Sequence, residues 1–107
     1  MARFISLWHF NPSAPLPPDP SKLLELYEMM FAVMDGMMKK GEIEEWGTFP
    51  EGYSGYTIGK GETADLYRNV VMFHPYIVSE VHEIISYEKS KETIRAVLKA
   101  RIAAMKK

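Results

Sequence analysis

The sequence predicts an α+β fold, in which a small antiparallel sheet carries packed helices. Four short segments are rich in aromatic or β-branched residues, as strands are. Three other segments repeat apolar residues every three or four positions, as amphipathic helices do. The chain has 107 residues, a length typical of one domain, so we predict a single domain over residues 1–107.

The first strand is predicted at Arg3–Phe10, because its side chains alternate between two largely apolar faces. One face carries Phe4, Ser6, Trp8 and Phe10, and the other carries Ile5 and Leu7. Residues 11–20 follow with five prolines, which exclude a helix or a central strand. We predict a stiff connector there.

The longest helix is predicted from Ser21, as its N-cap, to the region of Gly41. Its apolar residues recur at helical spacing and are expected to face the sheet: Leu23, Leu24, Tyr27, Met30, Phe31, Met34, Met37 and Met38.

A hairpin and a second helix follow. The strands are predicted at Ile43–Phe49 and Tyr53–Gly59, on either side of a turn with the sequence PEG. Thr63 is the predicted N-cap of the second helix, which must end before Pro75, because a proline disfavours helical geometry in the residue before it.

The last predicted strand is Val78–Ser86, and Ser90 begins a terminal helix over about residues 90–107. We expect one side of this helix to pack on the domain and the basic side to be solvated. The apolar side consists of Ile94, Val97, Leu98, Ile102 and Met105.

This order of elements predicts a ferredoxin-like βαββαβ sandwich with an added C-terminal helix, in which helices cover one face of the sheet and the first strand is central. We assign Ile5 and Leu7 to the helix side, together with Val81 and Ile85. The aromatic face of the first strand then projects from the open side of the sheet. Exposed aromatic patches mark interfaces, so we expect a homodimer formed through the open sheet face.

Two stretches resemble a known group of proteins: GYTIGKGETADLYR, a strand leading into a helix, and HPYIVSEVHEIIS, a Pro-aromatic element leading into a strand. The chain resembles the dimeric α/β-barrel superfamily, and within it an uncharacterised domain-of-unknown-function family. The resemblance implies two ferredoxin-like sheets that pair face to face around a cavity. That superfamily includes cofactor-independent monooxygenases, haem-degrading enzymes and muconolactone isomerases. No catalytic residue transfers from it to this chain.

Glu80 and His82 are the candidate catalytic residues, since residues two apart on a strand share a face. The histidine could act as a general base that the glutamate orients. We favour the simpler interpretation, in which these polar side chains reach solvent or form hydrogen bonds across the dimer interface. No third ligand accompanies them, so we predict no metal site.

The predicted function is binding of a small hydrophobic or aromatic ligand in a cavity between the sheets of the homodimer. No cofactor is expected. One alternative is a monooxygenase or isomerase that uses His82, and another is a structural or regulatory dimer without a ligand. The sequence does not decide which face of the hairpin lines the cavity, so Tyr53 is an alternative to Tyr56 as a lining residue. The predicted ligand-binding residues are Ser6, Trp8, Phe10, Trp46 and Tyr56.

Composition excludes several other classes. The formal net charge of −1 provides no field that would attract nucleic acid. The chain has no cysteine, and hence no disulfide or thiolate site, which agrees with a reducing compartment. No apolar run is long enough to cross a membrane, and the first residues do not form a signal peptide. We therefore expect a cytoplasmic protein without nucleic-acid or membrane partners.

Overall fold

The computed structural model describes residues 2–106 and has the predicted α+β, ferredoxin-like order of elements. The elements are β1 (Ala2–Phe10), α1 (Pro20–Lys39), β2 (Ile43–Thr48), β3 (Ser54–Gly61), α2 (Thr63–Met72), β4 (Ile77–Ile84) and α3 (Tyr87–Met105). The four strands form one sheet in the order β2-β3-β1-β4, and all of its pairings are antiparallel. As predicted, β1 is a central strand.

The ends of the helices follow their capping residues. The side chain of Asp19, rather than that of Ser21, caps α1, since it accepts a hydrogen bond of 2.9 Å from the Ser21 amide. Pro20 occupies the first turn, where a missing amide proton is tolerated. At the other end Gly41 adopts a φ of +78°, a left-handed geometry that glycine accepts readily.

The two later helices start at other positions than predicted. Thr63 is the first residue of α2, and the cap position falls on Glu62, whose side chain makes no capping hydrogen bond. Ser86 caps α3 by accepting a hydrogen bond of 3.2 Å from the Lys89 amide, so α3 begins at Tyr87 rather than Ser90. A serine at either position fits the cap preference, and sequence spacing alone does not choose between them.

The assignment of the two faces of β1 was wrong. Phe4 and Trp8 lie on the face that α1 and α2 cover, and both are buried. Ile5 and Leu7 lie on the other face, where their antiparallel partners on β4 are His82 and Glu80. Trp8 therefore obtains its shelter within one chain and does not need a second copy. The alternation of side chains along β1 shows which residues share a face. Both faces are apolar, however, so only contact with the helices distinguishes the covered face from the open one.

We call the uncovered side of the sheet the open sheet face. It carries a strip of aliphatic side chains with polar residues among them. Its members, from the strand register, are Arg3, Ile5, Leu7, His9, Glu45, Tyr56, Ile58, Val78, Glu80, His82 and Ile84. The prediction that Glu80 and His82 point to this side is confirmed by the register, whereas Val81 pairs with Ser6 and points toward the helices.

The terminal helix α3 projects away from the rest of the chain. The radius of gyration is 19.2 Å, whereas a compact chain of this length has one of about 13 Å. The longest dimension is 71 Å. We call the apolar residues of α3 the α3 stripe, and the least exposed of them is still 46% exposed: Ile94, Val97, Leu98, Ile102 and Met105. The expected packing of α3 on its own domain is therefore absent from the described part of the chain.

Candidate functional site

A cavity of about 330 Å³ lies between the sheet and the two helices that cover it. Its floor is the face of β1 that carries Phe4, Trp8 and Phe10, extended by Trp46 of β2. Its wall on the α1 side is formed by aromatic and thioether side chains: Tyr27, Met30, Phe31, Met34 and Met37. The lining is therefore mostly apolar, as in pockets for small organic molecules.

Aromatic rings organise the floor. The indole rings of Trp8 and Trp46 are stacked, with centroids 5.4 Å apart and planes inclined by 14°. Phe10 extends this cluster toward the C-terminal end of β1, where its ring lies 5.9 Å from that of Tyr27 and 5.7 Å from that of Tyr53. Such offset aromatic pairs add to the free energy gained by burying their area. The floor is thus a preformed flat aromatic surface.

Gly55 on β3 makes room for the Trp8 ring. The two residues are neighbours in the antiparallel register, and a β-carbon at Gly55 would overlap the six-membered ring of Trp8. The absence of a side chain at this position lets the indole lie flat on the neighbouring strand. Gly55 is therefore part of the cavity floor although it offers no functional group.

The indole N–H of Trp8 has no hydrogen-bond acceptor within residues 2–106, and its nitrogen is buried. An unsatisfied buried donor destabilises the fold that contains it. Such groups therefore mark places where a partner is missing, such as a ligand or an ordered water. Here the orphan donor belongs to the residue at the centre of the cavity floor.

Charged side chains of both signs lie around the opening. Lys40, Lys60, Glu62 and Asp65 line the cavity but are exposed. Partial burial and the proximity of Tyr53 raise the pKa of Tyr27 above its ordinary value. The ionised phenolate is disfavoured because the wall around Tyr27 is poor in water. The mixed charges at the mouth favour neither an anionic nor a cationic ligand.

The structure brings together four of the five predicted ligand-binding residues. Ser6, Trp8, Phe10 and Trp46 all line the cavity, and Tyr53, the alternative from the hairpin, lines it too. The location differs from the prediction, because this cavity lies beneath the helices of one chain rather than between the sheets of two.

Tyr56, the fifth predicted residue, lies on the open sheet face. Its ring stacks on Phe49 at 6.0 Å and occupies the space over Gly47, where a side chain would collide with it. A hydrogen bond with the Glu45 carboxylate raises the pKa of the Tyr56 phenol, since ionisation would bring two negative charges together. Tyr56 is thus separated from the cavity by the sheet.

His82 and Glu80 contact each other but lie outside the cavity. Nε2 of His82 is 3.2 Å from Oε2 of Glu80, and both side chains are more than half exposed. Among residues 2–106 no side chain shields the pair from water, whereas an active site that closes on its substrate gains stronger electrostatic interactions. A catalytic role for His82 therefore stays a prediction. No cluster of three potential metal ligands occurs within the described residues.

Sequence reasoning assigned the helical residues of the wall to the core without recognising a cavity. Tyr27, Phe31 and Met34 do face the sheet, as their spacing predicts, but they do not fill the space above it. The available signal was the run of methionines in α1, because flexible thioether side chains are common in adaptable binding surfaces.

The chain matches no protein-family model and no curated protein. What the structure itself defines is a ferredoxin-like α+β chain with an apolar cavity between its sheet and helices. No helix within residues 2–106 has the length and hydropathy needed to cross a membrane.

Proposed function

We propose that this protein binds a small, flat, apolar or aromatic molecule in the cavity between the sheet and helices α1 and α2. The observation that carries the proposal is the stacked pair of Trp8 and Trp46 on the floor of an apolar cavity of about 330 Å³. This volume is near the lower end of the range for small-molecule pockets, so the ligand is small.

The sheet side of the cavity supports a ligand that carries one polar group. The hydroxyl groups of Ser6, Thr48, Thr57 and Ser79 provide the polar points there. A few polar groups in an apolar pocket orient a ligand without dominating its affinity. An aromatic alcohol or ketone therefore matches the site better than a sugar or a nucleotide.

Both tryptophans of the chain belong to the cavity floor. We expect 2-naphthol to bind there in a saturable manner and to raise the melting temperature, which circular dichroism measures. Calorimetric titration with 2-naphthol then measures the affinity. Glucose serves as the polar probe that is expected not to bind.

A matched pair of variants distinguishes the cavity from the rest of the surface. Thr57→Phe places a ring inside the cavity, whereas Ile58→Phe places the same ring on the open sheet face, one residue further along β3. We expect Thr57→Phe to weaken 2-naphthol binding by about tenfold or more, equivalent to about 1.4 kcal/mol. Ile58→Phe is expected to bind as the wild type does.

Ser6→Leu is an independent filling variant in case Thr57→Phe fails to fold, because Ser6 also lines the cavity. Equal loss of binding in Thr57→Phe and Ile58→Phe would contradict the proposed location. Absence of saturable binding of 2-naphthol to the wild type would contradict a pocket for flat aromatic molecules.

A further inference from the structure

The α3 stripe and the open sheet face are two apolar surfaces that no other element within residues 2–106 covers. The stripe residues Leu98 and Ile102 are about half exposed, and on the open sheet face Leu7 and Val78 are exposed as well. An apolar patch of this kind on a folded chain marks a site of association.

The solvent-accessible surface of the chain is larger than that of a compact protein of the same mass, as expected if α3 and one face of the sheet are uncovered. The chain exposes 8149 Å², whereas a compact folded chain of 12.3 kDa exposes about 6,100 Å². The excess is about 2,000 Å² for each chain, so two chains could bury twice that area, which lies in the range of permanent homodimers. The excess therefore matches what a stable dimer requires.

Charge shows which surfaces complement each other. Residues 94–106, which comprise the second half of α3 and its C-cap, contain four cations and no acidic residue: Arg95, Lys99, Arg101 and Lys106. None of these cations forms an ion pair within the described part of the chain. The open sheet face carries the carboxylates of Glu45 and Glu80 beside Arg3, His9 and His82, so its charge is mixed. Packing α3 on the sheet brings the cations of α3 near these two carboxylates.

We propose that α3 is a dimerisation arm, and that the α3 stripe of each protomer packs on the open sheet face of a second copy of this chain. Helix and sheet are of similar size, since α3 is about 28 Å long and β4 about 27 Å. Arg101 lies on the same side of α3 as Leu98 and Met105, and in the dimer it reaches the carboxylate of Glu80.

A membrane surface fits α3 less well. Arg101 places a charge within the α3 stripe, where lipid chains would lie, and the stripe contains no tryptophan or phenylalanine. Amphipathic helices that lie in a membrane interface carry their cations on the polar face and use large aromatic or leucine side chains on the apolar face.

The first test is sedimentation velocity on the full chain. The wild type is expected to be a dimer at micromolar concentration, and Leu98→Glu is expected to raise its dissociation constant by about 30-fold or more, the loss typical of a central interface residue. Ala96→Glu introduces the same charge on the opposite side of α3 and is expected to leave the dimer unchanged. Circular dichroism shows whether each variant retains its helices.

A charge exchange tests the sheet side of the interface. Glu80→Lys is expected to weaken the dimer, and Glu80→Lys combined with Arg101→Glu is expected to restore part of the lost affinity. Glu83→Lys is the matched control, because Glu83 lies on β4 but pairs with Phe4, on the helix-covered face.

Four results would overturn the proposal. A monomeric wild type at the highest soluble concentration is the first, and a monomer that cosediments with phosphatidylserine vesicles is the second. A dimer that Leu98→Glu leaves intact shows that the sheets pair directly. A dimer that is sensitive to Leu98→Glu but indifferent to Glu80→Lys shows that α3 pairs with α3.

Discussion

At the scale of single residues, Trp8 explains more of the site than any other side chain. Its ring is buried, stacks on Trp46 and lies over Gly55, while its N–H lacks an acceptor. A large aromatic side chain in a central strand contributes strongly to the stability of the core. The residues around Trp8 therefore leave room for its ring, and at Gly55 there is no space for even a methyl group beside it.

Gly55→Ala tests this fit. The added methyl group overlaps the Trp8 ring and the carbonyl of Gly47, so we expect the free energy of unfolding to fall by about 1 to 3 kcal/mol, as in other overpacked cores. Urea denaturation measures the loss, and tryptophan emission should shift to longer wavelength as the indole is displaced.

Gly36→Ala is the control, because the same methyl group meets open space within α1. It is expected to stabilise the protein by about 0.5 to 1 kcal/mol through helix propensity. An unchanged or higher stability of Gly55→Ala would show that the indole does not need the space above this glycine.

At the scale of elements, the N-terminus of α1 depends on one carboxylate. Hydrogen bonds from the Ser21 side chain and amide lower the pKa of Asp19 below its ordinary value of 3.8. A lowered pKa in the folded state means that folding favours the ionised carboxylate. The stabilisation is thus complete above pH 3.8 and is lost as the pH falls through the lower pKa of the folded state.

We therefore expect Asp19→Ala to unfold at a lower urea concentration than the wild type at neutral pH. The difference between the two midpoints should shrink as the pH is brought well below 3.8, where the wild-type carboxyl group is protonated as well. Asp19→Asn should retain part of the cap, since its amide oxygen can accept the same hydrogen bonds. A midpoint difference that stays constant into the acid range would argue against the ionised cap.

The helices also differ in how their amphipathic patterns are used. In α1 the apolar face lines the cavity, so the spacing of its apolar residues correctly predicts which side of the helix faces the sheet. In α3 the same kind of spacing produces a stripe that stays exposed in the described part of the chain. Periodicity shows that a helix has an apolar side, but it does not show which molecule covers that side.

At the scale of the whole molecule, the sheet separates two surfaces. The cavity lies on the side that α1 and α2 cover, and the proposed interface lies on the open sheet face. Coupling between two sites requires that each ligand changes a state on which the other depends. Among residues 2–106 the two surfaces are joined by the sheet itself, whose pairing is regular between β1 and its two neighbours.

We therefore expect ligand binding and dimerisation to be independent. The affinity for 2-naphthol should agree within about twofold in the wild type and in Leu98→Glu, a difference of less than about 0.5 kcal/mol. Calorimetric titration of both proteins measures it. Loss of binding in Leu98→Glu would instead favour a ligand held between two protomers, as the sequence alone predicts.

The sequence by itself determined the order of the elements, the ferredoxin-like topology, and the residues that share a face on β1 and on β4. These properties follow from local periodicity, proline and glycine positions, and the handedness of crossovers. Hence Ser6, Trp8 and Phe10 were grouped correctly, and so were Glu80 and His82.

Only the tertiary structure decided which face of β1 the helices cover, and with it the separation of the aromatic residues from the Glu80–His82 pair. Both faces of this strand are apolar, so hydrophobicity gave no preference. The choice depends on how the rings of Trp8 and Phe10 meet Trp46 and Tyr27, which are distant in sequence. Long-range packing of this kind is invisible to a pattern that extends over only a few residues.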